Sequence, residues 1–456
     1  MKVNPSVFKT NDIRGKYPQD VSEEFAELLG RAVADFVAGK KSRKNLKVLI
    51  CGDVRSSSPA LREAVARGLI KQGVSVLDMG AGTTPYFYFL IHKLTIAGGI
   101  MVTASHNPKE YNGFKIRGKN NSSIDGDNGL PEIKKLVLSR KFQKISFPGE
   151  IAQAPDHREV YLKFISQGVS ISKDIKIVVD AAGGSTSLFL PALLNRFPNI
   201  QYKPLFFQPD GGFAKHSPNP LLPESQKFVQ DELKKGKYNF GVVFDCDGDR
   251  VVFFDEKGNT LKSEFVFCLL VDEELRRHKG ATFVMPVNIS KGAREYIQGR
   301  GGKLDLTKIG YTFLQKAMKN KKARLGVELS GHFYTKLGST ISDSALAAFL
   351  RLASAIVRAG KPLSQLMKPV DTYLSSGERN FHVSDKEAVL KKIKKYFSDG
   401  KISEKDGVLI EYPDWWVIVR ASNTEPVLRL VMEAKFQKVF DEKLKEVIEQ
   451  IGGREE

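Results

Sequence analysis

The stretch "LKVLICGDVRSSSPALREAVARGLIKQG", Leu46 to Gly73, holds a strand, a loop and a helix in immediate succession. Its apolar opening reads as a strand, and Gly52 to Ser58 supply a loop rich in Gly, Asp and Ser. Pro59 then stands where a helix best tolerates proline, in its first turn. Leu61, Val65, Leu69 and Ile70 recur at helical spacing and make one apolar stripe. The unit returns along the chain. "IKIVVDAAGGSTSLFLPALL" (175–194), "YNFGVVFDCDGDRVVFF" (238–254) and "GATFVMPVNISKGAREYI" (280–297) open with similar strands. Alternating strands and helices predict α/β layers around largely parallel sheets, with ligand sites in the loops at the strand C-termini.

At 456 residues the chain is too long for one ordinary core, so roughly three or four domains are expected. "SRKFQKISFPGEIAQAPDH" (139–157) breaks the periodicity, and Asp255 to Asn259 look like a turn. After Met367-Lys368-Pro369 the style changes. "WWVIVRASNTEPVLRLVMEAKF" has two β-rich runs around Asn-Thr-Glu-Pro, and a helical tail follows from Asp441 to Ile451. We divide the chain into α/β domains at 1–149, 150–255 and 256–368, and a small α+β domain at 369–456.

A hydrophobic share of 41% and a charged share of 27% are those of a soluble globular protein. No apolar run approaches the roughly 18 residues that cross a bilayer, and the start lacks the apolar core of a signal peptide. Cys51, Cys246 and Cys268 have no metal-ligand spacing and suggest no disulfide framework. The expectation is a cytoplasmic enzyme or binding protein, with no membrane partner. The formal charge of +19 raises nucleic-acid binding. In "KEAVLKKIKKYF", however, Val389, Leu390, Ile393, Tyr396 and Phe397 make one apolar face, which leaves the lysines as the solvated side of a packed helix. No zinc-finger spacing or aromatic-interleaved motif supports nucleic acid, and an anionic small substrate is the better use of the charge.

Four stretches carry chemistry. In "GGIMVTASHNPKEYNGFKI" (98–116) a buried strand ends at Ser105, His106 follows, and Lys115 comes ten residues later. In "VVFDCDGDRVVFF" (242–254) Asp245, Asp247 and Asp249 are spaced i, i+2, i+4, so an extended backbone sends all three to one side. At about 4 Å and an effective dielectric of about 20, each carboxylate pair costs on the order of 4 kcal/mol. A divalent cation removes that cost, and an all-oxygen set points to Mg²⁺ rather than zinc. Cys246 between them points into the sheet and is idle. "LGVELSGHFY" (325–334) ends a strand in Glu328, Ser330, Gly331 and His332, groups suited to grip vicinal sugar hydroxyls. In "VRASNTEPVLR" (419–429) Arg420, Ser422, Asn423, Thr424 and Arg429 offer guanidinium, hydroxyl and amide donors around a turn, a phosphate clamp.

"TASHNPKEYNGFKI", "DCDGDR", "GVELSGH" and "RASNTEP", in that order, resemble the α-D-phosphohexomutases, and within them the phosphomannomutase/phosphoglucomutase group. The likeness runs nearly end to end, from "NDIRG" through "GDVRSSSP" and "PDGGFAKHSPNP". It implies a four-domain, heart-shaped architecture, three related α/β domains plus a C-terminal α+β domain. It implies that Ser105 is the phosphoserine and, with Asp245, Asp247 and Asp249, a Mg²⁺ ligand. Glu328 and Ser330 match the sugar-hydroxyl binders, and Arg420, Ser422, Asn423 and Thr424 match the site of the phosphate not being transferred.

The implied reaction interconverts hexose 1- and 6-phosphates of mannose, glucose or both. Ser105 passes its phosphoryl group to the sugar, and glucose 1,6-bisphosphate or mannose 1,6-bisphosphate serves as intermediate and activator. Arg250 aids electrostatically. Lys115 is the acid/base candidate, with His106, His332 and Arg14 supporting or competing. A basic lysine needs a lowered pKa, which neighbouring Mg²⁺ and arginine would supply. Hydroxyl recognition at carbons 3 and 4 is blind to carbon 2, where glucose and mannose differ. Leu329 stands where phosphoglucosamine mutases often carry Gln, which disfavours but keeps open that alternative. Tyr311 and Asn288 replace the His and Lys of dual-specificity enzymes, and Lys308 is the residue expected to take over sugar binding. A non-catalytic phosphosugar- or nucleic-acid-binding protein is the remaining alternative, and a monomer or homodimer is expected.

Overall fold

The strand at the head of that opening stretch runs Lys47–Gly52 and is buried from Val48 onward. It lies between Gly98–Val102 and Ser75–Ala81, and both neighbours are parallel to it. In the computed structural model, residues 3–39, 42–337, 340–422 and 427–456 are described. The chain forms two compact units, Met1–Leu261 with Ser330–Leu363, and Lys262–Leu329 with Ser364–Glu456. No helix among the described residues is long and apolar enough to cross a membrane.

In the first unit the predicted helix spans Ser58–Lys71 with Pro59 in its first turn. Leu61, Val65 and Leu69 are fully buried, and Ile70 packs at the edge of the same core. The helix lies against Glu23–Ala38 so closely that a Cβ on Gly68 would sit 2.1 Å from the Glu27 carbonyl oxygen. That contact explains a glycine in mid-helix, where it costs roughly 1 kcal/mol against alanine. On one side the first sheet continues through the antiparallel strand Tyr111–Gly118, against which Ile13–Lys16 pairs antiparallel in turn. On the other side Ile151–Gln153 pairs parallel to Ser75–Ala81, so the irregular stretch 139–157 contributes an edge strand.

The same unit holds a second sheet, Ile200–Leu205, Ile175–Asp180 and Phe240–Phe244 in parallel, with Val251–Phe254 antiparallel at its edge. It also holds the hairpin Phe333–Leu337 and Thr340–Asp343, followed by the helix Ala345–Ala359. Ser344 caps that helix, its Oγ accepting from the Ala347 amide at 3.3 Å.

The second unit contains parallel strands Lys303–Thr307, Thr282–Pro286 and Leu325–Val327, with helices Ser263–Arg277, Lys291–Gly299 and Tyr311–Asn320. It also contains an antiparallel sheet in which Trp415–Ala421 and Val427–Ala434 are central. The helix Lys386–Tyr396 follows the expected face only in part. Ile393 and Phe397 are buried and Lys391, Lys392, Lys394 and Lys395 are exposed, but Tyr396 is 51% exposed. Its ring instead stacks edge-on against Phe397, with centroids 4.8 Å apart. The C-terminal helix, Gln437–Ile451, begins four residues before the Asp441 read from the sequence.

Candidate active site

The strand Gly98–Val102 delivers Ser105 to the C-terminal end of the first sheet, and the chain then doubles back. In the antiparallel return Lys115 lies opposite Met101, so the turn carries the lysine back beside the strand that delivered the serine. Ser105 is 1% exposed and has φ +50°, a left-handed conformation that costs a non-glycine residue about 1–2 kcal/mol. Its amide donates to Thr103 Oγ1 at 2.8 Å, and its own Oγ donates to Asp245 Oδ2 at 3.0 Å. Nδ1 of His106 lies 3.4 Å from the same Oγ. Arg14 crosses beneath, donating to the Ala104 carbonyl at 3.1 Å and to Asn107 Oδ1 at 2.8 Å, with Asp12 as its ion-pair partner.

Asp245, Asp247 and Asp249 do converge, with ligand oxygens within 4.8 Å of one another, but not by strand alternation. The strand stops at Phe244, and residues 245–250 form a tight turn closed by Val251. Asp245 Oδ1 organises that turn by accepting from the amides of Gly248 (2.9 Å) and Arg250 (3.2 Å). Gly248 is required at its apex. Its φ is +74°, and a Cβ there would come within 2.8 Å of Thr186 Cγ2. Cys246 is fully buried, and burial, then the charge of Asp53, pushes its thiol well above its ordinary pKa.

The cluster is an anionic site with built-in cations, Lys115 against Asp247 and Asp249 and Arg250 beside Asp249. Lys115 Nζ bonds Asp247 Oδ2 at 2.8 Å and Asp249 Oδ2 at 2.6 Å. Burial works to lower the pKa of this ammonium, but Asp247 and then Asp249 outweigh it and hold it well above the ordinary lysine value. The expected depression is therefore reversed, because two carboxylates face Lys115 directly. Burial also pushes both aspartates up, yet Lys115 draws Asp247 below the usual range and Asp249 well below it. Asp245 lacks that partner. Burial, then Asp249 and Asp247, raise its carboxyl well above the usual range. Burial, then Arg250 and Arg14, press His106 well below its ordinary pKa and keep its ring neutral.

Asp247 Oδ1 is buried without a hydrogen-bond partner. An orphaned oxygen in a set of three hard oxygen donors fits a divalent cation of the Mg²⁺ type.

His332 is brought to the same cluster. Its Nε2 accepts from Arg250 Nε at 3.2 Å and lies 3.5 Å from Asp249 Oδ1, while Ser330 Oγ is 2.8 Å from Nδ1. Ser105, His106, Arg14, Lys115, Arg250, Ser330 and His332 thus gather around the three aspartates within the first unit.

The other predicted residues lie in the second unit. Glu328 is buried at the end of Leu325–Val327. Arg420 and Arg429 converge on one carboxylate, that of Glu378, at 3.2 and 3.1 Å. Ser422 is buried, and its amide donates to the Val427 carbonyl at 2.9 Å. Lys308 Nζ stands 5.7 Å from the Phe313 ring centroid, and Tyr311 opens the helix that carries Phe313. Asn423 and Thr424 lie outside the described residues.

Three site residues escaped the sequence reading. Thr84 Oγ1 donates to Asp247 Oδ2 at 2.6 Å, and its amide donates to the Asp247 carbonyl at 2.9 Å. The signal was Thr-Thr-Pro at a helix start, where Thr83 caps the Tyr86 amide. Asp343, 2% exposed, lies with Asp249 and His332 in a second group of ligand-type atoms within 4.8 Å. Burial, then the charge of Asp249, raises its pKa to about 6. Nothing local in "STISDSALAAF" marks it. Arg55, under the serine loop, is the third.

The chain matches the phosphoglucomutase/phosphomannomutase family through all four of its domains. Alpha/beta/alpha domain I covers residues 5–144, domain II 159–258, domain III 262–373 and the C-terminal domain 378–450. It is 36% identical to a phosphomannomutase of Methanocaldococcus jannaschii over 97% of this chain and 96% of that one. It is 32% identical to a Xanthomonas campestris protein named for phosphohexose mutases, over 94% and 95%. The crystal structure of a phosphoglucomutase/phosphomannomutase family protein from Burkholderia thailandensis superposes with a TM-score of 0.90. It shares 28% identity and covers 99% of both chains.

Proposed function

Since this chain belongs to the phosphoglucomutase/phosphomannomutase family and is a hexose-phosphate mutase, we propose that Ser105 is its phosphate carrier and that it acts on both mannose and glucose phosphates. The observation that carries this reading is the buried Ser105 Oγ, 3.0 Å from Asp245 in a cluster of three carboxylates. A serine serving only as a turn former has no use for such a cluster, and binding alone requires neither.

Phosphoserine 105 gives its phosphoryl group to the free hydroxyl of a hexose monophosphate. The bond from phosphorus to Ser105 Oγ breaks, a bond to the sugar oxygen forms, the hydroxyl proton passes to solvent, and Ser105 Oγ takes a proton from Lys115. The resulting 1,6-bisphosphate turns over, and its other phosphate returns to Ser105. Asp245, Asp247 and Asp249 would hold Mg²⁺, which when bound offsets charge on the transferring group. Arg250 and Arg14 add fixed positive charge around the serine loop. Glu328 and Ser330 grip the sugar hydroxyls, and Arg420 and Ser422, with Asn423 and Thr424, take the distal phosphate. Arg429, Lys308 and Tyr311 complete the substrate contacts in this reading. Glucose or mannose 1,6-bisphosphate primes an unphosphorylated serine.

Lys115 carries a proton at rest, so it acts first as the acid that protonates Ser105 Oγ as it leaves. Then, neutral, it takes the proton of Ser105 Oγ as that oxygen attacks in the return step, and the freed sugar oxygen is protonated from solvent. Lys115→Arg keeps the charge beside Asp247 and Asp249 but cannot release a proton. It is expected to lower kcat by about 100-fold or more while the protein stays folded. Arginine matching lysine in kcat would assign this position to charge compensation alone.

The sugar assignment is tested by kcat/KM on mannose 1-phosphate, glucose 1-phosphate and glucosamine 1-phosphate side by side. The first two are expected within about tenfold of each other, since a carbon-2 epimer changes no contact to hydroxyls 3 and 4. Glucosamine 1-phosphate should lag both. Its outrunning them would overturn the sugar reading and leave the phosphoserine chemistry standing.

A further inference from the structure

The motif "GDVRSSSP" takes no part in the chemistry described so far, yet its arginine is one of the most buried in the molecule. Arg55 is 1% exposed, and its side chain makes no contact with solvent. A guanidinium has five N–H donors in a rigid planar fork. All five are used here. Nε pairs with Asp53 Oδ2 at 3.2 Å. Nη1 donates to the carbonyls of Pro108 (2.8 Å) and Tyr111 (3.2 Å). Nη2 donates to the carbonyls of Ser105 (2.6 Å) and Asn107 (2.5 Å).

Those four carbonyls belong to one seven-residue segment, 105–111, which begins with the serine in its left-handed conformation. A buried cation with four main-chain acceptors resists any change in the path of that segment, since moving one carbonyl leaves a buried N–H unpaired. The fork is itself immobilised. Asp53 Oδ1 accepts from the Arg55 amide at 3.0 Å and from Ser58 Oγ at 2.5 Å, and the Asp53 amide donates to the Val102 carbonyl at 2.9 Å. Arg55 is thereby tied to the very strand that delivers Ser105. From the other side the Phe213 ring covers the guanidinium, its centroid 5.0 Å from Cζ. The chain at Gly211 presses so close that a Cβ there would meet the Val54 carbonyl oxygen at 2.4 Å and the Ser56 nitrogen at 2.5 Å.

We infer that Arg55 is a positioning residue for phosphoryl transfer. It holds the segment 105–111 so that Ser105 keeps its strained backbone and its Oγ stays aimed at Asp245, Asp247 and Asp249. The inference rests on the reading of Ser105 as phosphate carrier. Arg55 itself touches no reacting atom, because its side-chain donors go to Asp53 and to four main-chain carbonyls. Lysine cannot replace it, since one ammonium cannot span four carbonyls disposed around a planar fork.

The test is Arg55→Lys, with phosphate at Ser105 measured by intact mass and peptide mapping after incubation with glucose 1,6-bisphosphate. The wild type is expected to carry one phosphate on Ser105. The folded variant should show kcat lower by about 100-fold, the cost of a displacement of about 1 Å, with KM for the hexose phosphate within about threefold. Because an unfolded fraction would also lower apparent kcat at unchanged KM, kcat is taken per folded molecule, with the folded fraction measured by circular dichroism. If Arg55→Lys does not fold, Gly211→Ala is the second variant. It keeps the guanidinium but displaces residues 54–56, and the same division is expected. A folded variant that turns over within threefold of the wild type, or that changes KM alone, overturns the inference. A wild type that takes up no phosphate at Ser105 overturns the underlying reading and the inference with it.

Discussion

Ser105→Ala is expected to lower kcat by at least about 10⁴-fold, the scale on which removal of a covalent nucleophile acts. The variant should also take up no phosphate from glucose 1,6-bisphosphate by intact mass. The reason is local. Among the described residues, Ser105 alone offers the triplet a hydroxyl from a left-handed backbone. Thr84, the hydroxyl nearest in role, has its Oγ1 donated to Asp247 and its amide to the Asp247 carbonyl. Alanine at 105 removes the hydroxyl's bond to Asp245 and its contact with His106 Nδ1, and keeps the backbone bonds to Thr103 and Arg55, so the fold should be retained. Residual phosphorylation elsewhere in the alanine variant, with turnover intact, would show that another residue carries the group.

The second large effect is expected at the carboxylates. Asp247→Asn and Asp249→Asn should each abolish the heat of Mg²⁺ binding in a calorimetric titration and lower kcat/KM by about 10³-fold. Both residues are buried and ionised, held so by Lys115. An amide at either position offers one weaker oxygen where a cation wants charge, and it presents an N–H₂ group towards the Lys115 ammonium. The two variants are expected to differ in one respect. Asn at 247 also faces Thr84 Oγ1, which bonds the present carboxylate at 2.6 Å, whereas Asn at 249 faces Arg250 and His332. The second should therefore disturb the Arg250–His332 contact as well, and show the larger rise in KM. Retention of metal binding in both would remove the triplet from the metal site.

The order of strands and helices, and the loops that bear chemistry, were legible in the sequence. Periodicity alone marks the helix Ser58–Lys71, because Leu61, Val65 and Leu69 must share a face to be buried. Apolar runs that end in Ser105 and Asp245 mark strand ends, since neither a hydroxyl nor a carboxylate belongs inside a sheet. Family resemblance then joined four separate loops into one chemistry, something that no single loop could establish.

Three matters were left to tertiary structure. The aspartates come together through a turn closed by Asp245 and Gly248, not through strand alternation, because the ladder ends at Phe244 and the spacing i, i+2, i+4 serves either geometry. Lys115 is held protonated because the antiparallel return sets it against two buried carboxylates, and its partners lie 132 and 134 residues away in the chain. Arg55 reads as one more loop arginine until the fold closes around it. Sequence patterns report the period of local structure and the chemical kind of each side chain. Charge balance, burial and the partners of a guanidinium depend on residues far apart in the chain, and only the packed fold decides which of them meet.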